Sequence, residues 1–206
     1  MRRPRFIADQ ARHAKGPLGR LIAFVMARET AEPNRRAINE LEVAATDHVL
    51  DIGCGPGTAL SELATRTPEG HASGIDPSPL MVRLAQRRNG ALIDQGRVTV
   101  ARADISALPF PDSTFDKALC VHVIYFWDDL DHGFREIARV LKPGGRFALL
   151  FRSSDDQRST ASFPASVYRF RTVAEIEQAL VTAGFVVKPQ SPADKSLPQV
   201  LVASLA

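Results

Sequence analysis

The chain has 206 residues, of which 45% are hydrophobic and 24% charged, so it is long enough for one globular domain with a sizeable core. Its two cysteines, Cys54 and Cys120, show no spacing typical of a disulfide framework or a metal site, so we expect no metal and a reducing, cytoplasmic setting. The apolar run over 21–27 is too short to span a bilayer, and we expect no signal peptide.

The net charge of +3 is unevenly distributed along the chain. Residues 1–28 contain seven lysines and arginines against one acid, which gives this segment +6 and the remainder −3. Within it, residues 16–28 combine an apolar stripe with flanking arginines. We predict a basic N-terminal arm or lid over 1–33 and a ligand-binding domain over 34–206. A solvated arm and contact with anionic membrane headgroups are the alternatives for the first segment.

From residue 34 onward, segments with helical spacing alternate with short apolar segments typical of strands. In chain order, we predict a helix over 34–45, a strand over 48–52, a helix over 58–66, a strand over 71–76, a helix over 78–89, a strand over 97–104, a strand within 115–126, a helix over 130–141, a strand over 146–151, a helix over 172–185 and two closing strands within 185–190 and 199–205. Thr58 is predicted to cap the second helix, and Gly184 to end the last one.

Strands that alternate with helices predict an α/β fold. We expect a three-layer sandwich around a Rossmann-like, seven-stranded, mostly parallel sheet. The last strand pair has a short connection and is therefore expected to be antiparallel. In such sheets a ligand binds outside the carboxyl ends of the strands, near the point where the strand order reverses.

A glycine-rich turn follows the first predicted strand, in the stretch VLDIGCGPG at residues 49–57. Glycine lets backbone approach a ligand closely, and the following helix adds a positive dipole end, so this turn is typical of a nucleotide site. Asp51 directly before the turn is unfavourable for a pyrophosphate but suits an ammonium or sulfonium group. Asp76 ends the second predicted strand, where a carboxylate can accept both ribose hydroxyls, as it also does in NAD sites.

Four segments in this order resemble the class I S-adenosylmethionine-dependent methyltransferases. They are VLDIGCGPG (49–57), GIDPSPLMVRLAQ (74–86), ARADISALPFPDSTFD (101–116) and REIARVLKPGGRF (135–147). The sequence is most similar to the methyltransferase type 11 group, which includes the ubiquinone/menaquinone C-methyltransferases. The resemblance covers residues 34–152 and implies S-adenosyl-L-methionine as cofactor and S-adenosyl-L-homocysteine as product. Over 152–171 the chain departs from the ubiquinone-type enzymes, so their quinone substrate is not carried over.

The resemblance assigns the glycine turn to the methionine end of the cofactor. It implies that Asp51 faces the cationic amino-acid end, and that the turn with Gly53, Gly55 and Gly57 provides the backbone around it.

The resemblance assigns the nucleoside half of the cofactor to later segments. Asp76 would bind the ribose, while Pro77 and Met81 would line the adenine pocket. Asp104 would accept a hydrogen bond from the adenine amino group, with Ile105 beside it. A helix cap or a turn is the alternative explanation for Asp51 and Asp104.

His122 is the candidate general base, because it stands at the end of the fourth predicted strand, where the acceptor site of this family begins. The alternative is a histidine that is hydrogen-bonded within the wall of the strand. Tyr125 is a candidate contact to the acceptor through its ring face.

The sequence therefore predicts an enzyme that methylates a small-molecule or lipid-like acceptor. A phospholipid methyltransferase at a membrane surface and a protein that binds S-adenosylmethionine without catalysis are the alternatives. An NAD-dependent dehydrogenase is disfavoured by Asp51 and by the GxGxG spacing. Nucleic acid is an unlikely partner, because no Pro-Cys dipeptide of a cytosine methyltransferase and no NPPY-type loop is present.

Overall fold

The computed structural model describes residues 4–12, 14–188 and 197–206. Within these ranges, seven strands form one sheet in the order β3-β2-β1-β4-β5-β7-β6. The strands are β1 His48–Ile52, β2 His71–Asp76, β3 Val98–Arg102, β4 Phe115–Val121, β5 Leu141–Phe151, β6 Phe185–Val187 and β7 Gln199–Leu205. β7 runs antiparallel to both of its neighbours, and the other pairs are parallel. The predicted fold class is confirmed, although Pro189 and Gln190 of one predicted closing strand lie outside the described residues.

Helices cover both faces of the sheet and give the three layers. They are α1 Arg5–Arg12, α2 Gly16–Glu29, α3 Ala31–Leu41, α4 Thr58–Arg66, α5 Pro79–Arg88, α6 Gly90–Asp94, α7 Leu130–Val140, α8 Gln157–Ser162 and α9 Val173–Thr182. Alternation along β1 supplies two cores, since Leu50 packs with Ile137 of α7 and Ile176 of α9, while Val49 packs with Ile38 of α3.

Several predicted boundaries differ from the structure. The helix predicted over 34–45 is Ala31–Leu41, and two further differences have a local cause. Thr58 does not cap α4, because Gly57 takes the N-cap position in a left-handed conformation (φ 77°) and Thr58 is already helical. β5 begins at Leu141 rather than at Arg146. Leu141 pairs with Phe115 and Arg146 with Lys117, so the residues between them form a bulge in an otherwise continuous strand.

The N-terminal helices pack on the edge of the domain beside α5. Ala14 and Ala23 form a small buried cluster with Leu80 and Met81 of α5. A Cβ at Gly19 would lie 3.0 Å from the Leu80 side chain, so the absence of a side chain lets α2 approach α5 closely. None of the described helices is long and apolar enough to cross a membrane.

Candidate active site

A cavity opens at the carboxyl ends of β1, β2 and β4, under the N-terminal helices. Its predicted site residues are Asp51, Gly53, Gly55, Asp76, Pro77, Met81, Asp104, Ile105 and His122, and all of these line it. Gly57 and Tyr125 lie outside its lining. The parallel sheet brings these residues together, because the carboxyl ends of neighbouring parallel strands share one edge.

Asp51 lies at the floor of the cavity and is only 4% exposed. Its Oδ2 atom has no hydrogen-bond partner among the described residues. Burial, with a smaller contribution from the negative charge of Asp76, raises the pKa of Asp51 to about 7. An unpaired buried carboxylate is costly in the protein alone, and an added cation or hydrogen-bond donor would relieve that cost.

The three glycines of the turn serve different purposes. Gly53 has φ 71°, and a Cβ there would come within 2.5 Å of the Val123 side chain. Gly55 has φ 53°, and a Cβ there would meet nothing within 4 Å, so its backbone borders open space. At Gly57 a Cβ would overlap Ala85 of α5 and Asn89, which directly follows that helix. Gly57 is thus required by the packing of α4 on α5, and the structure provides no cavity contact for it.

Asp76 fixes the shape of the turn through both of its carboxylate oxygens. The Gly55 N–H donates to Oδ2 at 3.0 Å, and the Ser78 N–H donates to Oδ1 at 2.8 Å. Burial raises the pKa of Asp76 to about 6, even though these two backbone donors oppose the shift. Each oxygen retains a second lone pair, so the carboxylate can still accept from hydroxyl groups in the cavity.

Asp104 and Ile105 follow β3 and also line the cavity. The Ser106 N–H donates to Asp104 Oδ1 at 3.0 Å, which makes Asp104 a turn former as well as a cavity residue. The turn holds one carboxylate oxygen and thereby orients the other.

His122 directly follows β4 in a left-handed conformation (φ 57°), which is uncommon for a residue with a side chain. Its backbone N–H donates to the Leu150 carbonyl of β5 at 2.8 Å. Its Nδ1 lies 2.9 Å from the hydroxyl of Tyr125, and that hydroxyl accepts the backbone N–H of Arg152 at 2.6 Å. Burial, followed by the positive charge of Arg152, lowers the pKa of His122 to about 4, so its imidazole is neutral at physiological pH.

Tyr125 is only 4% exposed and lies behind His122. Its ring centroid is 5.0 Å from that of Phe170 and 5.7 Å from that of Tyr168. The ring is therefore part of an aromatic cluster, and the hydroxyl contacts the imidazole of His122, which lines the cavity.

Residues of the N-terminal helices also line the cavity. They are Arg12, Met26, Thr30 and Asn34. The Arg12 guanidinium also lies 3.7 Å from the Asp128 carboxylate, which joins α1 to the loop before α7. Sequence reasoning missed these residues as cavity residues, although the spacing of Met26 and Thr30 by four positions would have placed them on one helix face.

The lining of the cavity is strongly acidic. Within the described part of the chain its charged groups include five aspartates, Asp51, Asp76, Asp104, Asp128 and Asp129, against one arginine, Arg12. No group of three or more potential metal ligands occurs among the described residues. A cavity of this charge favours a cationic ligand and opposes a pyrophosphate. Together with the unpaired oxygen of Asp51, this charge fits S-adenosylmethionine, which carries a sulfonium and an ammonium group.

Comparison with known proteins finds similarity to methyltransferases. A family model described as a methyltransferase domain matches residues 49–145. The "Uncharacterized methyltransferase YdaC" of Bacillus subtilis is 32% identical over 139 residues, which cover 68% of this chain and 75% of that protein. The ubiquinone/menaquinone biosynthesis C-methyltransferase UbiE of Geotalea daltonii is 34% identical over 134 residues, covering 65% of this chain and 56% of that protein. The match to UbiE thus spans little more than half of that relative.

Solved structures share the architecture. A SAM-dependent methyltransferase from Aquifex aeolicus superimposes with a TM-score of 0.71 at 22% sequence identity, over 84% of this chain and 89% of that one. Identity at this level supports the same fold and carries nothing about the acceptor.

Proposed function

This chain belongs to the class I S-adenosylmethionine-dependent methyltransferases, and on that premise we propose that it methylates a small-molecule acceptor with a largely apolar, lipid-like body. The buried Asp51 carboxylate, with Oδ2 unpaired at the floor of the cavity, is the observation that carries the placement of the cofactor. The relatives of this chain include C- and O-methyltransferases, so the proposal leaves the acceptor atom open.

The cofactor supplies an electrophilic methyl group on sulfur, and the chain's own residues hold it. Asp51 pairs with the amino-acid end. The Gly53 and Gly55 N–H groups already donate to the Ile75 carbonyl and the Asp76 carboxylate, so their carbonyl oxygens are the backbone groups suited to an ammonium donor. Asp76 accepts from the ribose hydroxyls, and Asp104 accepts from the adenine amino group.

The cavity lining that neighbours His122 along the chain is apolar, since Val121, Val123 and Phe126 all line the cavity. An apolar wall excludes water and favours an acceptor with a hydrophobic body. This supports a small lipid-like or aromatic acceptor over a strongly charged one.

We propose that His122 orients the acceptor as a hydrogen-bond donor, in place of the general-base role that the sequence predicts. The Tyr125 hydroxyl accepts from the Arg152 N–H and can donate its own hydrogen to His122 Nδ1. With these two hydrogen bonds, the Arg152 N–H, the Tyr125 hydroxyl and His122 Nδ1 all have partners. Because Nδ1 then accepts a hydrogen bond, the neutral imidazole carries its proton on Nε2. Nε2 then offers an N–H to an oxygen or nitrogen of the acceptor. The low pKa of His122, about 4, also makes it a weak base.

His122→Ala is expected to lower kcat by roughly ten- to hundredfold and to change cofactor affinity little. A loss of this size is typical of one buried hydrogen bond to a group that carries or develops charge. The wild-type pH profile should show no rise that depends on His122 between pH 5.5 and 8, because the imidazole stays neutral above about pH 4. If kcat of the wild type rose with an apparent pKa of 6 to 7, and this rise were absent in His122→Ala, the result would support the general-base role of His122 instead.

Tyr125→Phe is the companion variant, since it keeps the ring and removes only the hydroxyl. Nitrogen-15 NMR of the imidazole should show the Nε2–H tautomer in the wild type and a mixture of tautomers in Tyr125→Phe. A wild-type Nδ1–H tautomer would contradict the proposed donor role.

Asp76→Ala is expected to weaken binding of S-adenosylhomocysteine by about 1–3 kcal/mol, the cost of leaving hydrogen-bonding partners unpaired. The same substitution leaves the Gly55 and Ser78 N–H groups without their carboxylate, so the melting temperature of the free protein should also fall. Titration calorimetry and thermal unfolding separate the two effects. Wild-type affinity in a folded Asp76→Ala protein would place the ribose elsewhere.

Catalysis is tested with methyl-labelled S-adenosylmethionine and a panel of phenols, quinols, amines and lipid-like carbon nucleophiles. Transfer of label to an acceptor, abolished by Asp51→Asn, is the expected result. Tight cofactor binding without transfer to any member of a broad panel would favour the non-catalytic alternative.

A further inference from the structure

The helix α2 has two chemically different faces. Gly19, Ala23 and Ala27 are buried against the domain at spacings of four residues. On the other side, Leu21 is 60% exposed and Phe24 52%, with Val25 at 44% and Leu18 at 40%. The exposed four follow spacings of three and four residues and therefore share one face, which we call the outer face of α2.

The outer face is framed by basic residues. Lys15, Arg20 and Arg28 are all exposed. The Arg28 guanidinium lies 4.2 Å from the centroid of the Phe24 ring, so its stem runs along the apolar surface while its charge faces outward. Glu29, also exposed, is the acid at the end of this helix.

The inner face of α2 packs on the domain. Small residues pack against Leu80 and Met81, and Met26 reaches the cavity. The apolar outer side chains are 40–60% exposed and lie outside the buried cluster with Leu80 and Met81. Exposed apolar side chains gathered on one helix face with basic flanks are typical of a helix that lies in a lipid interface.

We propose that the outer face of α2 docks on an anionic lipid surface. Leucine and phenylalanine side chains would enter the boundary between headgroups and acyl chains, while Lys15, Arg20 and Arg28 would contact the negative headgroups. A second copy of the chain is a poorer occupant, because two-fold pairing of this face brings its basic residues together. The inference is independent of methyl transfer and needs only the placement of α2.

Sedimentation with phosphatidylglycerol and phosphatidylcholine vesicles tests the proposal on the full chain. We expect binding to phosphatidylglycerol only, and its loss at high salt, because screening weakens attraction between surface charges. The double variant Leu21→Gln with Phe24→Gln should bind vesicles more weakly by a factor of roughly ten or more, since it removes the two most exposed apolar side chains of the outer face. Arg20→Gln with Arg28→Gln should also cost roughly tenfold.

Val181→Gln with Val186→Gln is the matched control, because both valines are exposed (55% and 62%) and lie on α9 and β6, away from α2. This control should bind vesicles like the wild type, and circular dichroism should show every variant folded. Three results would overturn the proposal: no binding to either vesicle, equal binding to both lipids, or unchanged binding by the Leu21 and Phe24 variant. A lipid-free dimer in sedimentation velocity that this variant abolishes would assign the face to a second copy instead.

Discussion

Asp51→Asn is expected to stabilise the cofactor-free protein at pH 7.5 and above, and to have little effect on its stability near pH 4. Burial raises the pKa of Asp51 to about 7 in the folded protein, whereas the unfolded chain has the ordinary value near 3.8. Between these values the folded state binds more protons than the unfolded state, so the free energy of unfolding falls as the pH rises. The full penalty is of the order of 4 kcal/mol, at 1.36 kcal/mol for each unit of pKa.

Asparagine carries no charge, so Asp51→Asn should lack this loss between pH 4 and pH 7. Urea unfolding across that range measures it. Asp94→Asn is the control, because it makes the same substitution at an exposed position. Asp76 contributes a slope of the same sign, since burial raises its pKa to about 6, so part of the pH dependence will persist in Asp51→Asn. A variant that is less stable than the wild type at pH 7.5 would contradict the buried, unpaired carboxylate.

The penalty at Asp51 explains why a group so unfavourable to folding lies at the centre of the cavity. Asp51 lines the cavity, and its Oδ2 has no hydrogen-bond partner among the described residues. A cationic ligand end relieves the penalty only when it is bound there, and the strain therefore becomes binding energy.

Local patterns in the sequence predict the sheet, and they also single out the aspartates and most of the glycines that line the cavity. Val49, Leu50 and Ile52 mark β1, and the residues that end such strands necessarily meet at one edge. Gly57 shows the limit of this reasoning, because its requirement comes from Ala85 and Asn89 on another helical segment. No local pattern distinguishes a glycine needed for packing from one needed for a ligand.

The donor role that we propose for His122 rests on contacts that the local sequence does not show. Its place at the end of β4 was predicted, but its chemistry depends on Tyr125 and on the backbone of Arg152, which follows the neighbouring strand β5. The sequence also leaves a lid and a membrane contact as competing hypotheses for residues 16–28. In the fold, one helix presents both kinds of surface, because Met26 lines the cavity whereas Leu21 is exposed.

Calorimetry with two ligands shows whether Asp51 faces the amino-acid end of the cofactor, as we claim. S-adenosylhomocysteine carries that end, and 5′-methylthioadenosine has the same nucleoside without it. Asp51→Asn should weaken binding of the first by about 2–5 kcal/mol, the usual cost of truncating one partner of a buried charge pair, and leave binding of the second nearly unchanged. An equal loss for both ligands, or a loss for neither, would contradict the claim.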